Sequence, residues 1–274
     1  MVLEVPKGLR EIVLLTSNRG KAEEFREKLS RYNIRIDVAN WGYPEIQADS
    51  HEDVIKFAAP YIAWDMIQHG VSSVLYDDSG LWIKALNGFP GIYTSHALKT
   101  IGLKGILNLL ENCPKEEERT AEFRCCLGFL TQCPALPEHI ACKTAGIPVF
   151  PIPPAAYCGS PSSHTLIRDN QKASIGGNAY SASSTVSTHS PLILYIFAAS
   201  VRGRISIEIR GEKGFGFDPV FIPDDEPAGM MFGGRTYAEL PMDVKNAASH
   251  RGKAVKLFMD FIKEVASTNP CRGF

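Results

Sequence analysis

Two stretches of this chain, residues 10–131 and 192–263, interleave strand-like apolar runs with helix-like amphipathic ones. That alternation points to an α/β architecture, because neighbouring strands and helices must bury their apolar faces against one another. Glu11–Thr16 reads as a buried strand, and Lys21–Ser30 sets Ala22, Phe25 and Leu29 on one helical face. Ser50 suits the N-cap of a helix running toward Gln68, which Pro60 should kink. Val74–Tyr76 and Leu81–Ala85 read as strands flanking Asp77-Asp78-Ser79-Gly80, and Thr120–Phe129 as another. Beyond residue 192, strands are expected at Leu192–Ala199 and Arg204–Arg210. A last helix would carry Ala254, Leu257, Phe258, Phe261 and Val265 on one face.

The intervening residues, about 132–191, are different. They hold Pro148, Pro151, Pro153, Pro154 and Pro161 and then the polar tract SASSTVSTHS, with neither a helical nor a strand period. The composition reads as a loop or disordered insertion within one domain spanning 1–274. Such an insertion is thermodynamically cheap, since loop closure costs only about 0.6 kcal/mol per doubling of length. It should therefore be removable by joining Gln132 to Leu192. A zinc module using Cys133, His139, Cys142, Cys158 and His164 is an alternative, weakened by the lack of any C-x-x-C pair.

Charge and cysteine usage narrow the partners. With 29 basic and 30 acidic side chains the formal net charge is −1, which argues against a general nucleic-acid binder. A small anionic ligand remains compatible, because it needs only a few cations in one place. The N-terminal MVLEVPKGLR has no signal-peptide apolar stretch. The longest apolar run, Leu192–Val201, falls short of the ~18–20 residues a membrane helix needs. Seven irregularly spaced cysteines, with Cys125 and Cys126 adjacent, read as reduced thiols. A cytoplasmic protein with no membrane partner is expected.

Four constellations could carry chemistry. Thr16-Ser17-Asn18-Arg19-Gly20-Lys21 joins a strand to a helix start, where free N–H groups, the helix dipole and a lysine make an anion site. The same residues also make an ordinary capped helix with a solvent-facing lysine. Glu45, in the turn Tyr43-Pro44-Glu45-Ile46-Gln47, and Asp77-Asp78 supply carboxylates. Magnesium suits one or two carboxylates completed by waters and phosphates, whereas Asp-Asp-Ser-Gly can also be a plain turn. Alternation along a strand means only one of the two aspartates can readily line a given cleft. Gly211–Pro219 sets three glycines around Phe215 and Phe217, either lining a flat ligand or forming a hairpin turn. Finally, Lys245-Asn-Ala-Ala-Ser249-His250-Arg251 opens the C-terminal helix with several donors, or else forms a solvated face.

Taken in order, S-N-x-x-K, P-E-I-Q, D-D-S-G-L, G-F-P-G-I-Y (Gly88–Tyr93), G-F-G-F-D-P and K-N-x-x-S-H-R resemble the inosine triphosphate pyrophosphatase family, the XTP/dITP diphosphatases. The likeness covers 10–131, including Arg119–Phe123, and 192–263. It implies an elongated mixed β-sheet with flanking helices and two lobes around a nucleotide cleft. It implies a Mg²⁺-dependent homodimer that cleaves ITP, dITP and XTP between the α- and β-phosphates, cleansing the nucleotide pool. By motif, Thr16, Ser17, Asn18, Arg19, Gly20 and Lys21 would hold the triphosphate. Glu45 and Asp78 would hold the metal, with Asp78 the general base and Ser79 a substrate contact. Phe215, Gly216, Phe217, Asp218, Lys245, His250 and Arg251 would surround base and sugar, their donors meeting the 6-oxo group.

Two departures from that pattern stand out. The 132–191 insertion falls where relatives carry a short connection, and Phe57 and Tyr61 stand where many bacterial relatives have Asn and Lys. A modified-pyrimidine pyrophosphatase and a catalytically silent nucleotide sensor are the alternatives, the latter having no need of a general base.

Overall fold

Four consecutive buried residues, Ile12–Leu15, force the first strand into the middle of the molecule. Strand β1 (Glu11–Leu15) pairs in parallel with β2 (Arg35–Ala39) on one side and β3 (Ser73–Ile83) on the other. The structure, a computed structural model, describes residues 9–30, 32, 34–132, 147–152, 192–224 and 232–268. Helix α1 (Arg19–Ser30) connects β1 to β2, and α2 (His51–His69) connects β2 to β3. Ala22, Phe25 and Leu29 are buried as the helical period requires. Ser50 caps α2, its side chain accepting the Asp53 N–H at 3.1 Å. The helix continues through Pro60.

From β3 onward the pairing turns antiparallel. Strand β5 (Thr120–Thr131) pairs with β3 along its length, and β7 (Leu192–Ile205) pairs with β5 over Thr120–Thr131. With β6 (Val149–Ile152) on its edge, the sheet order is β2-β1-β3-β5-β7-β6, with β4 (Pro90–Gly91) added to β3 and β8 (Phe221–Pro223) to β7. Helices α3 (Thr94–Thr100) and α4 (Gly102–Leu109) follow β4; α5 (Met242–Ala248) and α6 (His250–Thr268) close the fold. The mixed sheet with flanking helices is the expected architecture.

Apolar packing divides along the long strands. At one end of β3, Leu75 packs toward Phe25, Phe258 and Phe261, while Val74 and Tyr76 pack toward α2 on the opposite face. At the other end Leu81 and Ile83 join Phe123, Val201, Phe217 and Phe221. Between them lie Asp77, Asp78, Ser79 and Gly80. Buried Arg119 ties the far end together by donating to the carbonyls of Cys113, Ser206 and Leu110 at 2.6, 2.8 and 3.0 Å.

Several expectations need correction. Asp-Asp-Ser-Gly is the middle of one strand, not a turn between two, because β5 supplies a partner to every residue from Ser73 to Ile83. Leu192–Ile205 is likewise a single strand, and residues 206–210 are irregular. The Lys245–Arg251 run is split between two helices, Ser249 being extended (ψ 155°). Leu257 is 42% exposed, while Ala254, Phe258, Phe261 and Val265 are buried. The insertion contains a strand, β6 (Val149–Ile152), on the outer edge of β7. Edge placement is where a proline such as Pro151 is tolerated. The proposed zinc ligands lie outside the described residues. Among the described residues, Cys113, Cys125 and Cys126 are free thiols, and no helix is long and apolar enough to cross a membrane.

Candidate active site

The polar middle of β3 forms the floor of a cavity of about 560 Å³. It is walled by the β1–α1 junction, residues 40–45, the start of α3, Phe215–Asp218, and the α5–α6 junction. That size suits a small ligand.

Side-chain alternation separates the two aspartates. The Asp77 side chain is 1% exposed and takes Lys21 Nζ at 3.2 Å, Arg251 Nε at 3.3 Å and Ser79 Oγ at 2.8 Å. The Asp78 side chain is 22% exposed; its Oδ1 accepts the Ser79 N–H at 3.0 Å and its Oδ2 lies 2.7 Å from His51 Nδ1. Both residues contribute to the lining, so alternation sorts them by accessibility rather than excluding one. Asp78 is the carboxylate that a ligand can reach.

Buried charges build the wall behind Asp77. Arg251 gives Nη1 to Glu24 at 2.6 Å and Nη2 to Ser79 Oγ at 2.9 Å. Lys245 bridges Glu24 at 2.9 Å and Asp218 at 2.8 Å, over the Phe215 ring at 4.5 Å. Burial works against the charge of Glu24, but Arg251 and Lys245 outweigh it and hold its pKa at about 2. Asp77 is likewise buried, and Lys21 and Arg251 keep it well below the usual carboxylate range. Burial dominates at Asp218, raising its pKa despite Lys245. Among the described residues Lys28 on α1 has no hydrogen-bond partner at Nζ, and burial lowers its pKa to about 8. His250, stacked on Phe123 at 4.6 Å, is pushed well below its ordinary pKa by burial and by Arg251.

The β1–α1 junction is internally capped. Asn18 N–H donates to Thr16 Oγ1 at 3.1 Å, and Asn18 Oδ1 accepts the Lys21 N–H at 3.2 Å. Thr16, Ser17, Asn18 and Lys21 line the cavity. Arg19 does not, since its side chain is 93% exposed and pairs with Glu23 at 2.9 Å. Gly20 is not among the residues lining the cavity, and a Cβ there would stand 2.7 Å from the Phe215 ring. Its lack of a side chain lets that ring pack on α1. Arg251 and Lys245 also line the cavity, but at 3% and 2% exposure each spends donors on buried carboxylates and, for Arg251, on Ser79 as well. Ser79, Phe215, Gly216, Phe217, Asp218 and His250 all line the cavity.

Glu45 lines the same cavity and is exposed. Tyr43 senses the convergence of carboxylates, its phenol pushed well above its ordinary pKa by burial, Asp77, Glu45 and Asp78. Among the described residues, no group of three His, Cys, Asp or Glu side chains forms a ready metal cage. Sequence reading missed Glu24, His51, Tyr43, Thr94 and Lys99. Glu24 left a signal: Lys21, Glu24 and Lys28 form a charged stripe at i, i+3 and i+7 beside the apolar face of α1.

A family model described as the Ham1 family matches residues 12–146 and 166–261. The chain belongs to the Ham1 family. The break in the match lies inside the 132–191 stretch. Among similar proteins, a dITP/XTP pyrophosphatase of Methanopyrus kandleri is 33% identical over 253 residues, covering 92% of this chain and 96% of that protein. A second dITP/XTP pyrophosphatase, from Pyrococcus horikoshii, is 32% identical and covers 92% of this chain and 97% of its own. The solved HAM1 protein of Coxiella burnetii shares the fold with a TM-score of 0.57 at 25% identity, covering 93% of this chain and 98% of that one.

Proposed function

We propose that this chain, an enzyme of the dITP/XTP pyrophosphatase class, hydrolyses ITP, dITP and XTP between the α- and β-phosphates. The products would be the nucleoside monophosphate and pyrophosphate. One observation carries the proposal: a reachable, doubly hydrogen-bonded carboxylate, Asp78, shares a cavity with the lysine-bearing start of α1.

The cleft residues then have distinct tasks. Lys21 has three N–H donors. Asp77 engages Lys21 through Oδ2 and its carbonyl, at 3.2 and 3.4 Å, leaving donor capacity for a phosphate oxygen. Ser17 and Asn18 add polar contacts beside it. Asp78 accepts the proton of the attacking water, a role typically worth about 10²–10⁴-fold in rate. Glu45 and Asp78 would hold Mg²⁺, and the donor set fits, because magnesium keeps waters and substrate phosphates around one or two carboxylates. When bound, the ion would neutralise charge on the phosphate oxygens.

Base and sugar would lie along Phe215–Asp218 and His250, with Lys245 and Arg251 fixing that wall through Glu24 and Asp218. An uncharged His250 offers one donor and one acceptor. With the donor nitrogen held toward the base, a 6-oxo purine meets it, whereas the 6-amino group of adenine would leave it unpaired at a cost of about 1–3 kcal/mol. ITP and XTP should therefore be preferred over ATP. The proposal includes a homodimer, one catalytic domain interrupted at 132–191, and action on the free cytoplasmic nucleotide pool.

The test is a panel of nucleoside triphosphates with Mg²⁺, measuring orthophosphate and pyrophosphate separately. Pyrophosphate from ITP, dITP and XTP, with little from ATP, is expected. Release of orthophosphate in its place would refute the α–β cleavage.

A further inference from the structure

His51 is the first residue of α2 and is 5% exposed. Its imidazole touches two β3 side chains. Nδ1 lies 2.7 Å from Asp78 Oδ2, and Nε2 lies 3.1 Å from Trp82 Nε1, the indole meeting the ring edge-on at 83°. An indole N–H can only donate, so Nε2 is the acceptor and Nδ1 donates its proton to Asp78.

The surroundings keep this arrangement fixed. Trp82 pairs with Pro90 of β4 and lies beneath the Arg124 guanidinium, 4.5 Å from the ring centroid. A Cβ on Gly80 would approach His51 Cε1 to 2.9 Å and collide with the Gly91 carbonyl, so a glycine there makes room for the imidazole. The Ser50 cap fixes where α2, and hence His51, begins. Among the described residues each carboxylate oxygen of Asp78 thus has one bond, and a carboxylate has about four lone-pair sites. Capacity remains on both oxygens.

We propose that His51, oriented by Trp82, is a positioning residue that fixes the Asp78 carboxylate for its work on the attacking water. The inference rests on the reading of Asp78 as the general base. Orienting partners one step removed from the chemistry typically contribute about 10–100-fold. Misplacing a reacting group by about 1 Å can cost ~10²-fold.

The test compares His51→Ala, His51→Asn, Trp82→Phe, Asp78→Asn and the double variant His51→Ala/Asp78→Asn on ITP. His51→Ala should lower kcat by about 10–100-fold with KM changed less than about twofold. His51→Asn, whose amide nitrogen occupies the Nδ1 position, should recover most of that loss, and Trp82→Phe should show a smaller loss of kcat. In the metal-free protein, nitrogen NMR should show His51 protonated at Nδ1, a state that Trp82→Phe should disturb. The double variant should be no slower than Asp78→Asn alone.

An Nε2-protonated His51, wild-type kcat in His51→Ala, or additive losses in the double variant would overturn the inference. If His51→Ala does not fold, His51→Asn and Trp82→Phe decide through the NMR signature and kcat. Near-wild-type kcat in Asp78→Asn would instead defeat the general-base reading. An inactive Asp78→Asn beside a fully active His51→Ala defeats only the positioning role.

Discussion

Glu24 bears on more of the cleft than its place on α1 suggests. It is 3% exposed and neutralises both Arg251 and Lys245. Removing one partner from such a buried set leaves uncompensated charge, which typically costs about 3–5 kcal/mol. Glu24→Gln should therefore lower the melting temperature markedly. The pH dependence follows from a folded pKa of about 2 against an ordinary 4.5. A depressed carboxylate contributes fully above its unfolded pKa and loses that contribution as pH falls through the folded one. Wild-type stability should therefore fall between about pH 4.5 and 2 more steeply than that of Glu24→Gln, as acid titrations of thermal unfolding would show. An identical slope in the two proteins would mean the network is not charged as described. The order of motifs identified the right neighbourhood for Arg251, yet it pointed to the base rather than to Glu24, Asp77 and Ser79. Those partners lie far away in sequence, and no local period reveals them. The demand on Gly20 is hidden for the same reason, because the Phe215 ring that needs its space arrives from the other half of the chain.

Among the elements, α2 was read almost completely from its sequence, whereas β3 was not. Ser50 is a local signal for the cap, and it holds; the helix ends at His69, next to the expected Gln68, and runs on through Pro60. Asp, Ser and Gly favour turns on their own. In β3 that preference yields to eleven residues of pairing with β5, since strand propensity follows context more than residue type. The same override merges the long β7 and hides β6. Local signals remain measurable in α2. Ser50→Ala removes the cap and should cost about 0.5–2 kcal/mol. That corresponds to a melting shift of a few degrees, about 2–4 °C per kcal/mol for a domain of this size. Because the cap also fixes His51, kcat should fall along with stability. Calorimetry and ITP turnover on the same sample would expose a cap that matters to neither.

For the molecule as a whole, β6 changes what may be cut. Ile152 stands opposite Leu192 in the antiparallel register, and Phe150 lies beneath Lys56 Nζ, 4.5 Å from the ring centroid. Replacing residues 153–191 by Asn-Gly would close a two-residue hairpin between these strands, the geometry such a turn prefers. That variant should fold and keep its turnover. The shorter chain joining Gln132 to Leu192 also removes β6, uncovers the edge of β7, and should be less stable and more prone to aggregate. Equal melting temperatures for the two deletions would show that β6 contributes nothing.

Strands β3, β5 and β7 run unbroken beneath both apolar ends of the fold, so the cavity has a stiff floor under yielding sides. A nucleotide that needs a closer fit must obtain it from the rim, where Ile92–Lys99 and the glycine-punctuated run to Asp218 stand free of that ladder. Amide hydrogen exchange should therefore find the β3–β5 amides slow with or without ITP, and new protection on binding confined to those two segments. Should nucleotide binding instead slow exchange across the middle of β3, the floor itself would be the part that adapts.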